Sequence, residues 1–208
     1  MSSSRDLRVV AVGDSFVAGV GDSECRGWFG RLASDAWQRG VPTTAYNLGV
    51  RRDTSGDVLD RWEREVAARR MPGTDERLMV SFGVNDSTVV NGRLRVTPER
   101  SVANLHHLLV GASRVGLAVM VIGPPPIADA EVNRRVVTLS GQFREVCAAS
   151  GTPFVEVVHE LLEDRRWMAE VRDGDGAHPG AAGYGRLAAI ALPAWRAWIG
   201  PPDDVGAG

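Results

Sequence analysis

The chain has 208 residues, 44% of them hydrophobic and 24% charged, which excludes a disordered or fibrous protein and is enough to form the core of one domain. Its formal net charge is only −2 and every basic side chain is an arginine, so nothing indicates nucleic-acid binding, and lysine chemistry is excluded. No apolar run reaches the roughly 18 residues of a membrane-spanning helix. No signal peptide precedes the first predicted strand, so we expect a cytoplasmic location.

Short apolar runs alternate along the chain with segments of helical periodicity, which predicts an α/β fold with a parallel sheet and helices on both faces. The predicted strands are 8–12, 43–48, 78–82, 118–122 and 154–158. No repeat, low-complexity tract or long linker divides the chain. We therefore predict a single domain, 1–208, with its core at about 7–198 and a frayed tail at 200–208.

The helices between these strands have recognisable apolar stripes and ends. Thr97 and Pro98 are a typical helix start, and Gly116 is a typical stop. A final helix is expected from about 179 to 198, with Pro193 kinking or splitting it. Three stripes are expected to face the core: Trp28, Leu32, Ala36 and Trp37; Val58, Leu59, Trp62 and Val66; and Val136, Leu139, Phe143 and Val146.

Small and polar residues follow the predicted strands, at the points where each strand ends. "GDS" at 13–15, "NLG" at 47–49 and "GVND" at 83–86 follow the first three, "GPPP" at 123–126 follows the fourth, and "DGDGAHPG" at 173–180 follows a short helix after the fifth. Ligands of an open parallel sheet bind beyond the carboxyl ends of its strands. These segments therefore predict one site at that edge.

Ser15 is the candidate nucleophile because a strand-to-helix turn exposes its hydroxyl, although an N-cap role would explain a lone serine equally well. A serine hydroxyl needs a base. His178 lies in a loop with Asp175 three residues before it, and this spacing favours Asp175 over Asp173 as its partner. The other histidines, His106 and His107 in a predicted helix and His159 at the end of the fifth strand, are interpreted as structural or solvent-facing.

Three donors are expected to stabilise an oxyanion beside Ser15: its own N–H, the backbone N–H of Gly49 and the side-chain amide of Asn85. Gly49 could also be only a turn glycine, and Asn85 only a turn residue. We interpret Asp14 and Asp86 as residues that fix the geometry of their turns. Cys25 and Cys147 have no metal-binding spacing and are expected to be buried or half-buried free thiols.

With "GDS", "NLG", "GVND" and "DGAHP" in this order, the chain resembles the SGNH or GDSL-type hydrolases from about residue 7 to 198. The resemblance implies a three-layer, flavodoxin-like fold of about five parallel strands. It also implies a catalytic triad of Ser15, Asp175 and His178, and an oxyanion hole from Ser15, Gly49 and Asn85. Phe16 departs from the family pattern, which has leucine there.

The resemblance implies a serine esterase that acts on a small-molecule ester without a metal or organic cofactor, and small acyl esters are the expected substrates. Thioesterases, lysophospholipases, sugar deacetylases and acyltransferases share the family pattern, and a binding protein without turnover is a further alternative. Arg51 and Arg52 follow Gly49 and would suit an acidic substrate if either faced the site. We favour the interpretation that both are surface charges, and the sequence leaves the oligomeric state open.

Overall fold

Five parallel strands form the central sheet. The computed structural model describes residues 5–201. The strands are β1 (Leu7–Gly13), β2 (Thr43–Gly49), β3 (Asp75–Ser81), β6 (Ala118–Ile122) and β7 (Phe154–Val155). Their order in the sheet is β2-β1-β3-β6-β7. The predicted α/β fold with a parallel sheet is thus confirmed. The strand order reverses at β1, and the crevice between β1 and β3 is where such sheets bind ligands.

The register of the three neighbouring strands brings their carboxyl ends to one level. Gly13 at the end of β1 is opposite both Gly49 at the end of β2 and Ser81 at the end of β3. The segments that follow these strands therefore emerge side by side. Alternation along the strands divides the core into two layers, because Val9 and Ala11 face one side of the sheet and Val10 and Val12 face the other.

Helices cover both faces of the sheet. A two-stranded antiparallel hairpin, β4 (Val89–Val90) and β5 (Arg93–Leu94), follows β3 and was not predicted. The helices are α1 (Ser15–Ala18), α2 (Gly27–Gln38), α3 (Ser55–Ala67), α4 (Pro98–Arg114), α5 (Ala130–Ala149), α6 (Val158–Glu163), α7 (Arg165–Asp173) and α8 (Ala181–Ile199). As predicted, Thr97 caps α4, accepting a hydrogen bond from the backbone N–H of Arg100.

Two predicted elements differ from the structure. The fifth strand ends at Val155, and Val158 begins α6, so His159 lies in a helix and not on a strand. Pro193 does not split the last helix, which continues from Ala181 to Ile199. Buried side chains on both sides of Pro193 pack into the core, and this packing offsets the hydrogen bond that proline cannot donate.

Two side chains are more exposed than expected. Trp37, near the end of α2, is 60% exposed, because its indole N–H donates to the carbonyl of Thr43 at the start of β2 and the ring does not join the core. Cys147 is a buried free thiol as expected, whereas Cys25 is exposed. From residue 5 to residue 201, no helix has the length and apolarity needed to cross a membrane. The predicted frayed tail lies outside the described residues apart from 200 and 201.

Candidate active site

Ser15 is the first residue of α1, directly after the end of β1, and is buried. Asp14, not Ser15, caps this helix, with its carboxylate accepting a hydrogen bond of 2.9 Å from the backbone N–H of Phe16. The Ser15 hydroxyl is therefore not used as a cap. Gly13 allows the turn, because a Cβ there would lie 1.9 Å from the carbonyl oxygen of Ser81.

Ser15, His178 and Asp175 form a continuous chain of hydrogen bonds. The Oγ of Ser15 lies 2.7 Å from Nε2 of His178, and Nδ1 of His178 lies 2.7 Å from Oδ2 of Asp175. The loop before α8 thus brings an imidazole to a serine 163 residues away in the sequence. This arrangement can move the hydroxyl proton to the imidazole while the carboxylate stabilises the resulting cation.

The Asp175 carboxylate also organises the backbone of its own turn. Its Oδ1 accepts hydrogen bonds from the backbone N–H groups of Ala177 at 3.0 Å and His178 at 2.8 Å. Partial burial raises the pKa of Asp175, but the hydrogen bonds from His178 and Ala177 outweigh it and lower the pKa to about 2. Asp175 is therefore ionised at neutral pH. Asp173, the alternative considered from the sequence, is exposed.

Aromatic packing and a buttressing carboxylate hold the His178 loop. Phe16 lies against the imidazole of His178 with ring centroids 5.0 Å apart. Glu170 on α7 accepts hydrogen bonds from the backbone N–H groups of Gly180 at 2.9 Å and Gly183 at 2.7 Å. Because Gly180 has no side chain to cap α8, Glu170 supplies the cap from a neighbouring helix. Phe16 thus packs against the imidazole ring, and Glu170 fixes the backbone that follows it.

Asn85 lies beside Asp14 and the loop that follows β2. Its Nδ2 donates to the carbonyl oxygen of Asp53 at 2.9 Å and is 3.5 Å from Oδ2 of Asp14. Burial raises the pKa of Asp14 to about 7, outweighing the hydrogen bond from the Phe16 N–H, and the charges of Asp86 and Asp53 raise it further. The structure thus brings Asn85 and the turn of Ser15 together.

The Asp86 carboxylate is buried and has only structural partners. It accepts hydrogen bonds from the backbone N–H of Ser55 at 3.0 Å, from the Ser55 hydroxyl, and from the hydroxyl of Ser101 at 2.7 Å. These contacts join the loop after β3 to the starts of α3 and α4. They agree with the interpretation of Asp86 as a residue that fixes its turn.

Gly49 does not offer a free backbone donor in this structure. Its N–H donates to Oδ1 of Asn47 at 3.0 Å, while Nδ2 of Asn47 donates to the carbonyl of Val17 at 2.7 Å. A Cβ at Gly49 would lie 2.1 Å from the backbone nitrogen of Ala18. The glycine is therefore required because α1 packs directly on it, and the expectation that its N–H is available to an oxyanion needs this correction.

The arginines after Gly49 lie on the surface, as the favoured interpretation has it. Arg51 and Arg52 are both exposed, and Arg52 adopts a positive φ of 71°. Its carbonyl oxygen accepts a hydrogen bond of 2.8 Å from Nη2 of Arg95, which follows β5. The unpredicted hairpin is therefore tied to the loop after β2.

Cavity size alone does not identify this site. A cavity of about 720 Å³ lies at the opposite edge of the sheet, where Leu117, Ala118, Thr152 and Trp198 are among its lining residues. A smaller depression of about 460 Å³ is lined in part by Asp175 and His178. We assign the site by its chemistry, because the second cavity contains the hydrogen-bonded pair of Asp175 and His178. The described residues contain no cluster of three or more side chains that could hold a metal ion.

Sequence reasoning missed several residues that hold this site. Asn47 lies in the "NLG" segment, but the contacts of its side chain depend on how closely α1 approaches β2. Asp53, Arg61 and Glu170 act through contacts between separate elements, for which a single sequence carries no signal. Arg61 on α3, for example, bonds to Asp53 eight residues before it and to the carbonyl of Gly13 at the end of β1.

The fold has three layers, a parallel sheet with helices on both faces, and the groups described above lie at the carboxyl edge of the sheet. This combination defines an esterase of the SGNH type. The model of the GDSL-like lipase/acylhydrolase family matches residues 11–186, and the chain belongs to that family. The resemblance found in the sequence is thus confirmed. A comparison with curated proteins found no match.

Three solved structures of hydrolases illustrate the similarity of fold. A lipase/acylhydrolase from Enterococcus faecalis is 25% identical with a TM-score of 0.70, covering 90% of this chain and 94% of that one. An α/β hydrolase enzyme, LAE5, from the Lake Arreo metagenome is 20% identical with a TM-score of 0.73, covering 92% and 96%. Axe2, an acetylxylan esterase from Geobacillus stearothermophilus, is 17% identical with a TM-score of 0.77, covering 94% and 96%.

Proposed function

We propose that this esterase cleaves carboxylic esters of small acyl groups through a covalent acyl-enzyme on Ser15. The observation that carries the proposal is the hydrogen-bonded chain from Ser15 Oγ through His178 to Asp175, with both distances at 2.7 Å. Serine is a weak nucleophile by itself, and such a chain is the arrangement that activates it.

In the first half of the reaction, the Oγ of Ser15 attacks the ester carbonyl carbon while its proton passes to Nε2 of His178. The tetrahedral intermediate then collapses, the bond to the alcohol oxygen breaks, and His178 returns the proton to that oxygen. In the second half, His178 takes a proton from water, which attacks the acyl-enzyme. Breakage of the bond to Oγ releases the acid, and Ser15 regains its proton. The ionised Asp175 stabilises the imidazolium in both halves.

Two donors are assigned to the oxyanion in this mechanism. The N–H of Ser15 is the first of α1 and has no carbonyl in its own helix to which it can donate. The side-chain amide of Asn85 has a second hydrogen besides the one it donates to Asp53. This hydrogen lies toward Oδ2 of Asp14, but at 3.5 Å that contact is too long to be a strong hydrogen bond, so an oxyanion can replace it. Gly49 could contribute only if its N–H released Oδ1 of Asn47, so we do not count it as a preformed donor.

Small acyl groups are proposed because the connections around Ser15 are short. The segment between β1 and α2 contains only the four-residue helix α1 and a loop, which leaves little chain to form a deep acyl tunnel. The similarity to an acetylxylan esterase supports the same substrate size, since an acetyl group is the smallest common acyl group. No contact in the described residues favours a thioester or an acceptor alcohol.

The test is a series of p-nitrophenyl esters of increasing acyl length, with matching thioesters, assayed with the wild-type protein and the Ser15→Ala variant. We expect the highest kcat/KM with acetate or butyrate, no turnover above background in Ser15→Ala, and an unchanged far-UV circular dichroism spectrum. Full activity of Ser15→Ala would overturn the mechanism. A preference for long acyl chains would overturn only the proposed substrate size.

A further inference from the structure

Arg61 on α3 makes three polar contacts from a side chain that is only 13% exposed. Its Nε lies 2.7 Å from Oδ2 of Asp53, and its Nη2 donates to the carbonyl oxygen of Gly13 at 2.9 Å. Its Nη1 lies 2.8 Å from Oε2 of Glu65 one turn further along the helix. One guanidinium therefore joins the end of β1, the loop after β2 and α3.

Both non-helical partners of Arg61 belong to segments that hold the site. Gly13 lies two residues before Ser15, so the carbonyl that Arg61 binds is at the base of the nucleophile turn. Asp53 is held from both directions, because its carboxylate binds Arg61 while its backbone carbonyl accepts the Nδ2 hydrogen of Asn85. Arg61 thus controls where the acceptor of Asn85 lies relative to Ser15.

We propose that Arg61 is a positioning residue for ester hydrolysis, holding Asp53 so that the Asn85 amide faces the oxyanion. The inference rests on the proposed function of Asn85 as an oxyanion donor. Arg61 has no direct role toward substrate in this proposal, because each of its three guanidinium nitrogens bonds within the protein. It acts through the Asp53 carbonyl, which fixes one hydrogen of the Asn85 amide. The other hydrogen then lies toward Oδ2 of Asp14, 3.5 Å from Nδ2, beside the turn that contains Ser15.

The shape of the guanidinium explains why this position needs arginine. Its donors project in a fixed planar fork, which allows simultaneous contacts with a carboxylate on one segment and a carbonyl on another. A lysine could keep the ion pair with Asp53 but could not also reach Gly13 and Glu65 in the same geometry. Low exposure limits screening by salt, so this contact is better defined than a surface ion pair.

The experiment measures kcat and KM for p-nitrophenyl acetate in four proteins: the wild type, Arg61→Gln, Asn85→Ala and the double variant. Displacement of a positioned group by about 1 Å can cost up to about a hundredfold in rate, so we expect Arg61→Gln to lose about ten- to a hundredfold in kcat. KM should change by less than about threefold. In the Asn85→Ala background, the same substitution should cost less than about threefold, because the group it positions is already absent.

Two further variants separate positioning from general stability. Arg64→Gln removes an exposed arginine from the same helix and should leave kcat and the melting temperature unchanged. Arg61→Lys retains the positive charge beside Asp53 and should show a smaller loss of kcat than Arg61→Gln, again only where Asn85 is present. It also serves as the test if Arg61→Gln does not fold.

The inference is overturned if the Arg61 substitutions leave kcat unchanged, or if they cost the same factor with and without Asn85. It is also overturned if Asn85→Ala keeps wild-type kcat, and that result would in addition remove Asn85 from the proposed oxyanion hole. A normal loss in Asn85→Ala with an additive loss from Arg61 would reject the positioning role alone. The two proposals can therefore fail separately.

Discussion

Replacing Asp175 with asparagine tests whether the triad depends on which ring nitrogen of His178 carries the proton. Oδ1 of Asp175 accepts two backbone N–H groups, so an asparagine oxygen is expected to take that position and direct its NH2 group toward Nδ1 of His178. Nδ1 must then become an acceptor, which places the ring proton on Nε2, where it faces the hydroxyl of Ser15. In this tautomer the imidazole cannot act as a base.

The size of the effect follows from this reversal. The equivalent aspartate-to-asparagine change in a serine protease triad lowers kcat by about 10⁴. The Asp175 side chain is 50% exposed, so water screens part of its electrostatic contribution but does not restore the tautomer. We therefore expect kcat/KM to fall by about 10³ to 10⁴, which corresponds to about 4 to 5 kcal/mol of transition-state stabilisation.

The assay is steady-state hydrolysis of p-nitrophenyl acetate by Asp175→Asn, with Asp173→Asn as the matched control in the same loop. Asp173→Asn should remain close to wild type, because that carboxylate is exposed and the two ring nitrogens of His178 bond to Asp175 and Ser15. Activity of Asp175→Asn within tenfold of wild type would refute the reasoning, as would a larger loss in the control.

Three further substitutions test neighbouring parts of the site. Asn85→Ala should lower kcat about a hundredfold, as expected for one lost oxyanion donor, whereas an effect on KM alone would make it a binding residue. Gly49→Ala should lower both melting temperature and activity, because its Cβ would lie 2.1 Å from Ala18 N; a normal melting curve would show that α1 adapts. Burial raises the pKa of Asp14 from 3.8 to about 7, so the folded protein retains a proton there that the unfolded chain loses, and stability falls as pH rises through this interval. Between about pH 4 and pH 8, the free energy of unfolding measured by chemical denaturation should fall less in Asp14→Asn than in the wild type. An equal fall in both proteins would show that Asp14 is not the group responsible.

The strands that position the site could be predicted because they are buried on both faces. β1 and β3 have apolar runs long enough to distinguish them from loops, and ligand-binding segments follow the carboxyl ends of such strands. The turn that contains Asp175 and His178 was also predictable, because its contacts are local to three residues. The local sequence was therefore enough to predict Asp175 and His178, the groups that the structure brings to Ser15.

The remaining features depend on packing between distant elements. The fifth strand was predicted to extend to Val158, which is in fact a buried residue of α6. A short apolar run does not distinguish a strand from the start of a buried helix. Gly49 is a glycine because α1 approaches it, a distance that no sequence pattern records. The role of Arg61 depends on contacts with Gly13 and Asp53, which only the folded chain brings together.

The most direct test of the central claim is covalent labelling with a fluorophosphonate, followed by peptide mapping by mass spectrometry. The account predicts one adduct per chain, located on Ser15, absent from Ser15→Ala and formed far more slowly in His178→Ala. Labelling at another residue, or a rate on Ser15 that is unaffected by the loss of the imidazole, would contradict it.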